Sequence, residues 1–312
     1  MKHITVLKKE TVDLIAPKEN GIYADLTLGG GGHLKEILSR ANKLTVIAFD
    51  IDKGNIKSFA EEQGQEVQEK IKVGSSTVYL VNDNFSKLEE YVEKFGLGKL
   101  DGVIADLGWS MDQLTTVEGM SYEDKDAELD MRMDPNLGVR ASDLLNALGK
   151  NELAEMFKKY ADIYGSQNSK LVEEIKAYRK KRLILTVEDF LRIVDKAFGL
   201  SNADPKGKSR KFQTYSKVFQ ALRIAVNNEY GNLNEVVKVA FNSLNEGGVF
   251  AILTFHSGEE KVIEAYFNQM IADKKAEITS INGKDKFLRP SVDELLANIS
   301  ARSAKLWGFK NI

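Results

Sequence analysis

There is no cysteine in this 312-residue chain, which removes disulfides, thiolate metal sites and cysteine nucleophiles together. Histidine is nearly as scarce: His3, His33 and His256 are widely scattered, so no metal-binding constellation is visible. No apolar run is long enough to span a bilayer, and the stretch Met1–Glu10 lacks the apolar core of a secretory signal. The expected location is therefore cytoplasmic, and the sequon Asn298-Ile299-Ser300 is read as chance. Positive charge is not in excess either. Lys and Arg number 44 against 46 Asp and Glu, a net charge of −2, so any nucleic-acid contact must come from a local basic surface. Internal repeats and low-complexity segments are also missing. What remains, 43% hydrophobic and 29% charged, is the composition of an ordinary globular protein with room for one large domain or two modest ones.

The chain is organised around Tyr23-Ala24-Asp25-Leu26-Thr27-Leu28-Gly29-Gly30-Gly31-Gly32-His33. An apolar run leads into four glycines, after which His33–Leu38 restarts with helical spacing. Strand, glycine turn and helix let a backbone approach a nucleotide-like ligand closely, because glycine has no Cβ and tolerates positive φ. The next strand, Leu44–Asp50, ends in a carboxylate about 20 residues after the glycines, the distance at which such folds hydrogen-bond a ribose. A glycine cluster by itself is more often a tight turn; the strand, the helix and Asp50 together favour a nucleoside site. Asp25, a short step before the glycines, suits the S-adenosylmethionine version of this turn better than the pyrophosphate version.

Residues 1–20 read as a helical lead-in stopped by Pro17. Strands follow at 23–28, 44–50, 77–81 and 100–108, with helices at 33–41, 54–70 and 86–95 between them. Such alternation predicts a parallel sheet with helices on both faces. The next strand of this type is Gly248–Phe255, and the gap before it far exceeds a single crossover. Helical patterns at Leu144–Tyr160, Lys170–Arg182 and after Thr186, which forms a cap-like pair with Asp189, fill that gap. The expectation is a helical insert over 116–212 inside a discontinuous sheet domain of 1–115 and 213–312. Ala203–Ser209 reads as a linker, and Val218–Tyr230 and 233–244 as the helices that return the chain to the sheet. A helix at 257–274 precedes strand-like segments at 276–281 and 303–309, which could pair antiparallel at one edge.

Read in order, His3–Leu7, Asp25–His33, Asp50-Ile51-Asp52, Asp101–Gly108, Leu129-Asp130-Met131-Arg132-Met133-Asp134, Phe219–Asn227, Phe255-His256-Ser257 and Ala301–Leu306 resemble the bacterial ribosomal RNA small-subunit methyltransferase H family, also called MraW. The resemblance runs nearly end to end. It implies a class I methyltransferase fold, Rossmann-like with a mostly parallel sheet and an inserted helical domain that recognises substrate. It also implies S-adenosylmethionine as cofactor and N4 of a cytosine in 16S rRNA of the small ribosomal subunit as target. Carried over by motif, cofactor contacts fall to Gly31, Gly32, His33, Asp50, Phe85, Asp106 and Gln113. Segments 109–114, 118–121, 213–218 and 257–261 differ from the family's usual runs, and a divergent second copy with another target base is compatible with them.

A cytosine amine is a weak nucleophile because its lone pair is delocalised, so transfer depends on in-line placement and on an acceptor for its N–H. The base must also be unpaired or flipped out. Asp106 ends a strand beside the switch point and is the first choice for positioning donor or amine; as a structural alternative it caps the following turn. His256 and Ser257 end the next strand and carry a substrate-side expectation through the Phe255-His256-Ser257 match. Asp130, Arg132 and Asp134 alternate either as a surface salt-bridge run or as a pin between insert and core. Lys206, Lys208, Arg210, Lys211 and Lys217, interleaved with Phe212, Tyr215 and Phe219, suit phosphate contact and base stacking, with Arg223 in the helix that follows; a solvated loop is the plain alternative. Competing readings are a methyltransferase of another RNA or of a small molecule, and a non-catalytic assembly factor keeping the same fold. A nicotinamide oxidoreductase fits worst, since the glycine spacing is wrong. Oligomeric state is not legible in the sequence.

Overall fold

The computed structural model describes residues 5–107, 117–200, 207–281, 283 and 285–312. In chain order the elements are α1 (Lys8–Ile15), β1 (Ile22–Asp25), α2 (Gly32–Arg40), β2 (Thr45–Phe49), α3 (Lys53–Glu62), β3 (Lys70–Val73), β4 (Ser76–Val81), α4 (Leu88–Lys94) and β5 (Leu100–Asp106). Helices α5 (Ala141–Ala147), α6 (Lys150–Ala161), α7 (Gly165–Arg179), α8 (Val187–Phe198) and α9 (Gly207–Val226) follow. The chain continues through α10 (Glu229–Asn242), β6 (Leu244–Thr254), α11 (Ser257–Ala272), β7 (Ala276–Ile278), α12 (Val292–Ala297) and β8 (Lys305–Asn311). Two compact units result: Met1–Gly108 with Gly231–Ile312, and Trp109–Tyr230.

The first unit carries a sheet in the order β3-β4-β2-β1-β5-β6-β8-β7. Strands β4, β2, β1, β5 and β6 run parallel, while β8 is antiparallel to both β6 and β7, and β3 to β4. Both faces of the central strands are covered, as a parallel sheet requires. Along β2, Val46 and Ala48 join one buried cluster while Ile47 and Phe49 join the other. From β1 the chain moves one way to β2 and β4, then returns on the opposite side of β1 as β5. That reversal opens a crevice at the carboxyl ends of β1 and β5, where ligands bind in sheets of this kind. This is the α/β class I methyltransferase fold, and the antiparallel pairing of the last two strands matches the sequence reading.

Two sequence expectations need correction in this unit. The helix expected over 54–70 ends at Glu62, and Lys70–Val73 pairs antiparallel with β4. Lys70-Ile71-Lys72-Val73 alternates with period two and buries Ile71 against Val78, a strand signal hidden by the polar residues before it. Strand β1 also stops at Asp25, although Leu26 N–H still donates to Ile104 O at 2.9 Å and Leu28 N–H to Phe49 O at 2.8 Å.

The second unit has its own core, built on Leu145, Phe157, Leu171, Ile175, Phe190, Val194, Phe219 and Leu222. Helix α8 starts as expected: Thr186 Oγ1 accepts from Asp189 N–H at 3.2 Å, and Asp189 Oδ2 accepts from Thr186 N–H at 3.3 Å. The pattern at 144–160 splits into α5 and α6 around Leu148-Gly149. The boundary expected at 212/213 falls at 230/231. Val218, Phe219, Ala221, Leu222 and Val226 of α9 pack into the helical core, so the helix expected to return the chain to the sheet belongs to the insert. Helix α9 already runs from Gly207, which replaces the end of the expected linker; residues 201–206 lie outside the described ones.

Candidate active site

The glycine loop connects β1 to α2 at the carboxyl edge of the sheet, between strand-end carboxylates. Its four glycines do different work. A Cβ on Gly31, whose φ is +71°, would meet the Phe59 ring at 2.6 Å, and one on Gly32 would meet Thr5 Oγ1 at 1.8 Å. These two glycines are demanded by packing. A Cβ on Gly30 would meet nothing within 4 Å, so the loop's open side lies there. Gly31 and Gly32, which the sequence reading gave to the cofactor, follow directly after this open position.

Asp50, at the end of β2, is 8% exposed. Its Oδ2 accepts from Gly29 N–H at 2.8 Å and from the Asn55 amide at 2.9 Å, and its Oδ1 accepts from Asp52 N–H at 2.8 Å. Burial pushes its carboxyl above the usual range, against those three donors, which favour the charged form. Asp50 thus fixes the loop as well as standing where a ribose is expected. Phe85 is half-buried in the turn after β4, packed on the β4 side of the sheet.

Asp106 ends β5. Its N–H donates to Thr27 Oγ1 at 2.7 Å, tying β5 to the loop. One carboxylate oxygen lies 3.9 Å from His33 Nδ1, and Asp106 retains 13% side-chain exposure. His33 is 3% exposed, with Nε2 3.3 Å from Val6 O. The His33 side chain therefore points into the protein, between Val6 and Asp106, which leaves its backbone for the expected cofactor contact.

Asp25 is the residue that sequence reasoning noticed but gave no role. It is wholly buried at the end of β1, with Oδ1 accepting from Thr27 N–H at 3.1 Å and Oδ2 left without a hydrogen bond. Burial raises its carboxyl to about 7, and the Asp106 and Asp50 charges push the same way.

His256 caps α11: its Nδ1 accepts from Glu259 N–H at 3.4 Å, and its Nε2 lies 3.1 Å from Glu259 Oε1. Glu259 Oε2 accepts from Phe255 N–H at 2.7 Å. The imidazole is therefore engaged in holding the strand-to-helix turn, while Ser257 opens α11 exposed. Glu259 was missed, although its place three residues after a cap is a sequence signal.

In the helical unit two members of the predicted basic cluster, Lys211 and Arg223, are met by acids. Lys211 pairs with Asp195 Oδ2 at 2.9 Å, and Tyr215 OH donates to Asp195 Oδ1 at 2.5 Å. Arg223 pairs with Glu229 at 2.8 Å, both half-buried. Arg210 and Lys217 are exposed, with Arg210 also donating to Phe198 O at 3.1 Å. Gln113, Lys206 and the side chain of Lys208 lie outside the described residues. Asp130 and Arg132 form a two-pronged pair at 2.7 and 2.9 Å, and Arg132 also donates to Leu137 O at 2.6 Å. Asn227 holds the same loop, donating to Met131 O at 2.9 Å and accepting from Met133 N–H at 3.0 Å. The loop is pinned inside the helical unit.

Among the described residues no cluster could hold a metal ion, and no helix is long and apolar enough to cross a membrane. The residues at the crevice fit a nucleoside-bearing cation. Gly30 leaves open space, Asp50 and Asp106 flank it, and the orphaned buried oxygen of Asp25 favours positive charge.

Comparison with known proteins agrees. The profile of the MraW methylase family matches residues 1–312. The chain is similar to proteins named ribosomal RNA small subunit methyltransferase H. It is 36% identical to that of Lactobacillus johnsonii over 98% of this chain and 97% of the relative. For Clostridioides difficile the identity is 35% over 97% of each, and for Mycoplasmopsis agalactiae it is 33% over 98% and 97%. With this match from end to end and the sheet order above, the chain belongs to the MraW methylase family.

Proposed function

We propose that this protein is an S-adenosylmethionine-dependent methyltransferase of small-subunit ribosomal RNA, acting in the cytoplasm on N4 of a cytosine in 16S rRNA. The observation that carries the reading is the open glycine loop set between Asp50 and Asp106 at the switch point of a chain that matches the family throughout. S-adenosylmethionine supplies an electrophilic methyl group and a neutral thioether leaving group. Asp50 holds the ribose end while it fixes Gly29, with Phe85 against the adenine. Backbone N–H groups of the glycine loop through His33, and Gln113, complete the cofactor contacts.

Asp106 retains 13% side-chain exposure at the end of β5 and is anchored to the loop through its own N–H on Thr27. Its role is to accept an N–H of the cytosine amine, steering the nitrogen lone pair out of the ring plane and taking up developing positive charge. His256 supports this rim through its cap on α11, and Ser257 meets the substrate from the exposed first turn. The helical insert, the unit Trp109–Tyr230, recognises RNA. Arg210 and Lys217 contact phosphate directly, with Lys206 and Lys208 as further candidates; Lys211 and Arg223 do so only if their acidic partners release them.

The test is transfer of tritiated methyl to small subunits and to naked rRNA, followed by mapping of the modified base. Label at a cytosine amine supports the proposal. Label on another RNA, or none with SAM bound, favours the alternative enzyme or an assembly factor.

A further inference from the structure

Asp25 stands where a carboxylate is costly. The residue is 0% exposed, and only its Oδ1 is hydrogen-bonded, by Thr27 N–H at 3.1 Å. Oδ2 has no hydrogen-bond partner, although Leu34 N–H in the first turn of α2 also favours the charged form. Leaving one oxygen of a buried carboxylate unpaired is expensive, and the molecule has two remedies. A proton can sit on Oδ2, or a cation can come close.

The charged groups around Asp25 decide between them. Strand β2 contributes Asp50 and strand β5 contributes Asp106, both raising the cost of a third negative charge. Helix α2 contributes His33, which is engaged with Val6 O and lies 3.9 Å from Asp106, and Lys35, which reaches to the Gly30 carbonyl at 3.3 Å and to Glu62. No lysine or arginine among the described residues forms an ion pair with Asp25. Without ligand, the proton is the remedy. Two anions on neighbouring strands and full burial keep the proton on up to about pH 7, where a carboxyl raised to about 7 is half protonated.

The cofactor brings what the cluster lacks. S-adenosylmethionine carries an ammonium and a sulfonium, and the open side of the glycine loop admits it beside these carboxylates. We propose that Asp25 is a proton-linked counter-ion: when the cationic methionyl end docks, the Oδ2–H bond breaks, the proton leaves to solvent, and the carboxylate balances the ligand's positive charge. This rests on S-adenosylmethionine being the cofactor. It makes Asp25 a residue that selects for cationic ligands without needing direct contact with the transferred methyl.

The linkage has a definite sign. Where Asp25 is protonated in the free protein, binding must expel a proton, so affinity falls about tenfold for each pH unit below the Asp25 transition. Above it, no proton remains to be released and affinity is flat. The neutral analogue 5′-methylthioadenosine has neither ammonium nor sulfonium, so it expels nothing.

The experiment is calorimetric titration of the full chain with S-adenosylmethionine and with 5′-methylthioadenosine, in pairs of buffers of different ionisation enthalpy. The expected release with S-adenosylmethionine is about half a proton at about pH 7, approaching one proton a unit lower; with the neutral analogue it is none. Asp25→Asn should bind with a pH-independent affinity and no release, whereas Asp106→Asn should keep a release, with its transition moved to lower pH because one of the charges raising the Asp25 carboxyl is gone. S-adenosylmethionine binding with no proton release would overturn the proposal and leave the cofactor assignment standing. Release that persists in Asp25→Asn, or that vanishes only in Asp106→Asn, would also overturn it. Absence of any S-adenosylmethionine binding would remove the cofactor assignment and this proposal together. Should Asp25→Asn fail to fold, infrared difference spectra of wild type labelled with 13C-aspartate decide: the protonated-carboxyl band must disappear on adding S-adenosylmethionine, and its persistence refutes the idea.

Discussion

The two units treat charge in opposite ways. At the carboxyl edge of the sheet, Asp25, Asp50 and Asp106 end three adjacent strands, and the charges of Asp50 and Asp106 add to the cost of a charge on buried Asp25. In the helical unit, two of the cations expected to meet RNA are met by acids, Lys211 by Asp195 and Arg223 by Glu229, and Arg132 pairs with Asp130 as its alternating run suggested. An unbalanced cluster is a place for a ligand of opposite sign, and a balanced one is chiefly structure. On this reasoning the sheet edge has the stronger claim to a binding site, and the basic run is reduced to its exposed members.

The sharpest way to break that contrast is Asp106→Ala. If this carboxylate acts in the transition state, methyl transfer should fall on the order of a hundredfold or more, with cofactor affinity changed far less. Single-turnover transfer and calorimetry on the same preparation separate the two; equal losses in both would make Asp106 a binding residue only. Next in size is Asp50→Ala, which removes the acceptor for Gly29, Asp52 and Asn55 as well as the expected ribose contact. Cofactor binding should weaken by roughly 1.5–3 kcal/mol, the range for hydrogen bonds to a charged group. Unchanged affinity in a folded variant rejects the assignment.

Paired alanine substitutions in the loop divide packing from binding. Gly32→Ala should destabilise the fold by about 1–3 kcal/mol, because its methyl would overlap Thr5. Gly30→Ala meets open space, so its melting temperature should stay near wild type while cofactor affinity drops. If both variants melt alike, the division of labour among these glycines is wrong. The smallest effects concern RNA. Arg210→Gln and Lys217→Gln should each flatten the log–log salt dependence of RNA affinity by about 0.7–1. Lys211→Gln should leave the slope unchanged, since Asp195 already neutralises that ammonium. A slope that moves only with Lys211 would show that RNA displaces Asp195.

How far these features could be seen beforehand varies with their physical origin. The strand–glycine–helix unit, Asp50 at a strand end and the Thr186–Asp189 cap are local, set by backbone requirements within a few residues, and each appears where its residues promised. Strand β3 was hidden because its pairing partner, rather than its own composition, makes Lys70–Val73 a strand. The inward turn of His33 was hidden too, since Val6 and Asp106 meet it only after folding.

The sequence by itself determined the alternating α/β order, the presence of a helical insert and the acids at strand ends, because periodicity and turn chemistry act over short distances. Only the tertiary structure decided which of the charged residues have partners. Asp195 lies 16 residues from Lys211, and Glu229 lies 6 from Arg223; nothing in their spacing announces the pairs, because helix packing and the turn between helices bring the charges together. Burial is likewise a property of the assembled sheet. Asp25 reads in the sequence as an acid suited to its glycine turn, and becomes a wholly buried carboxyl with one oxygen unpartnered only when β2 and β5 close on either side.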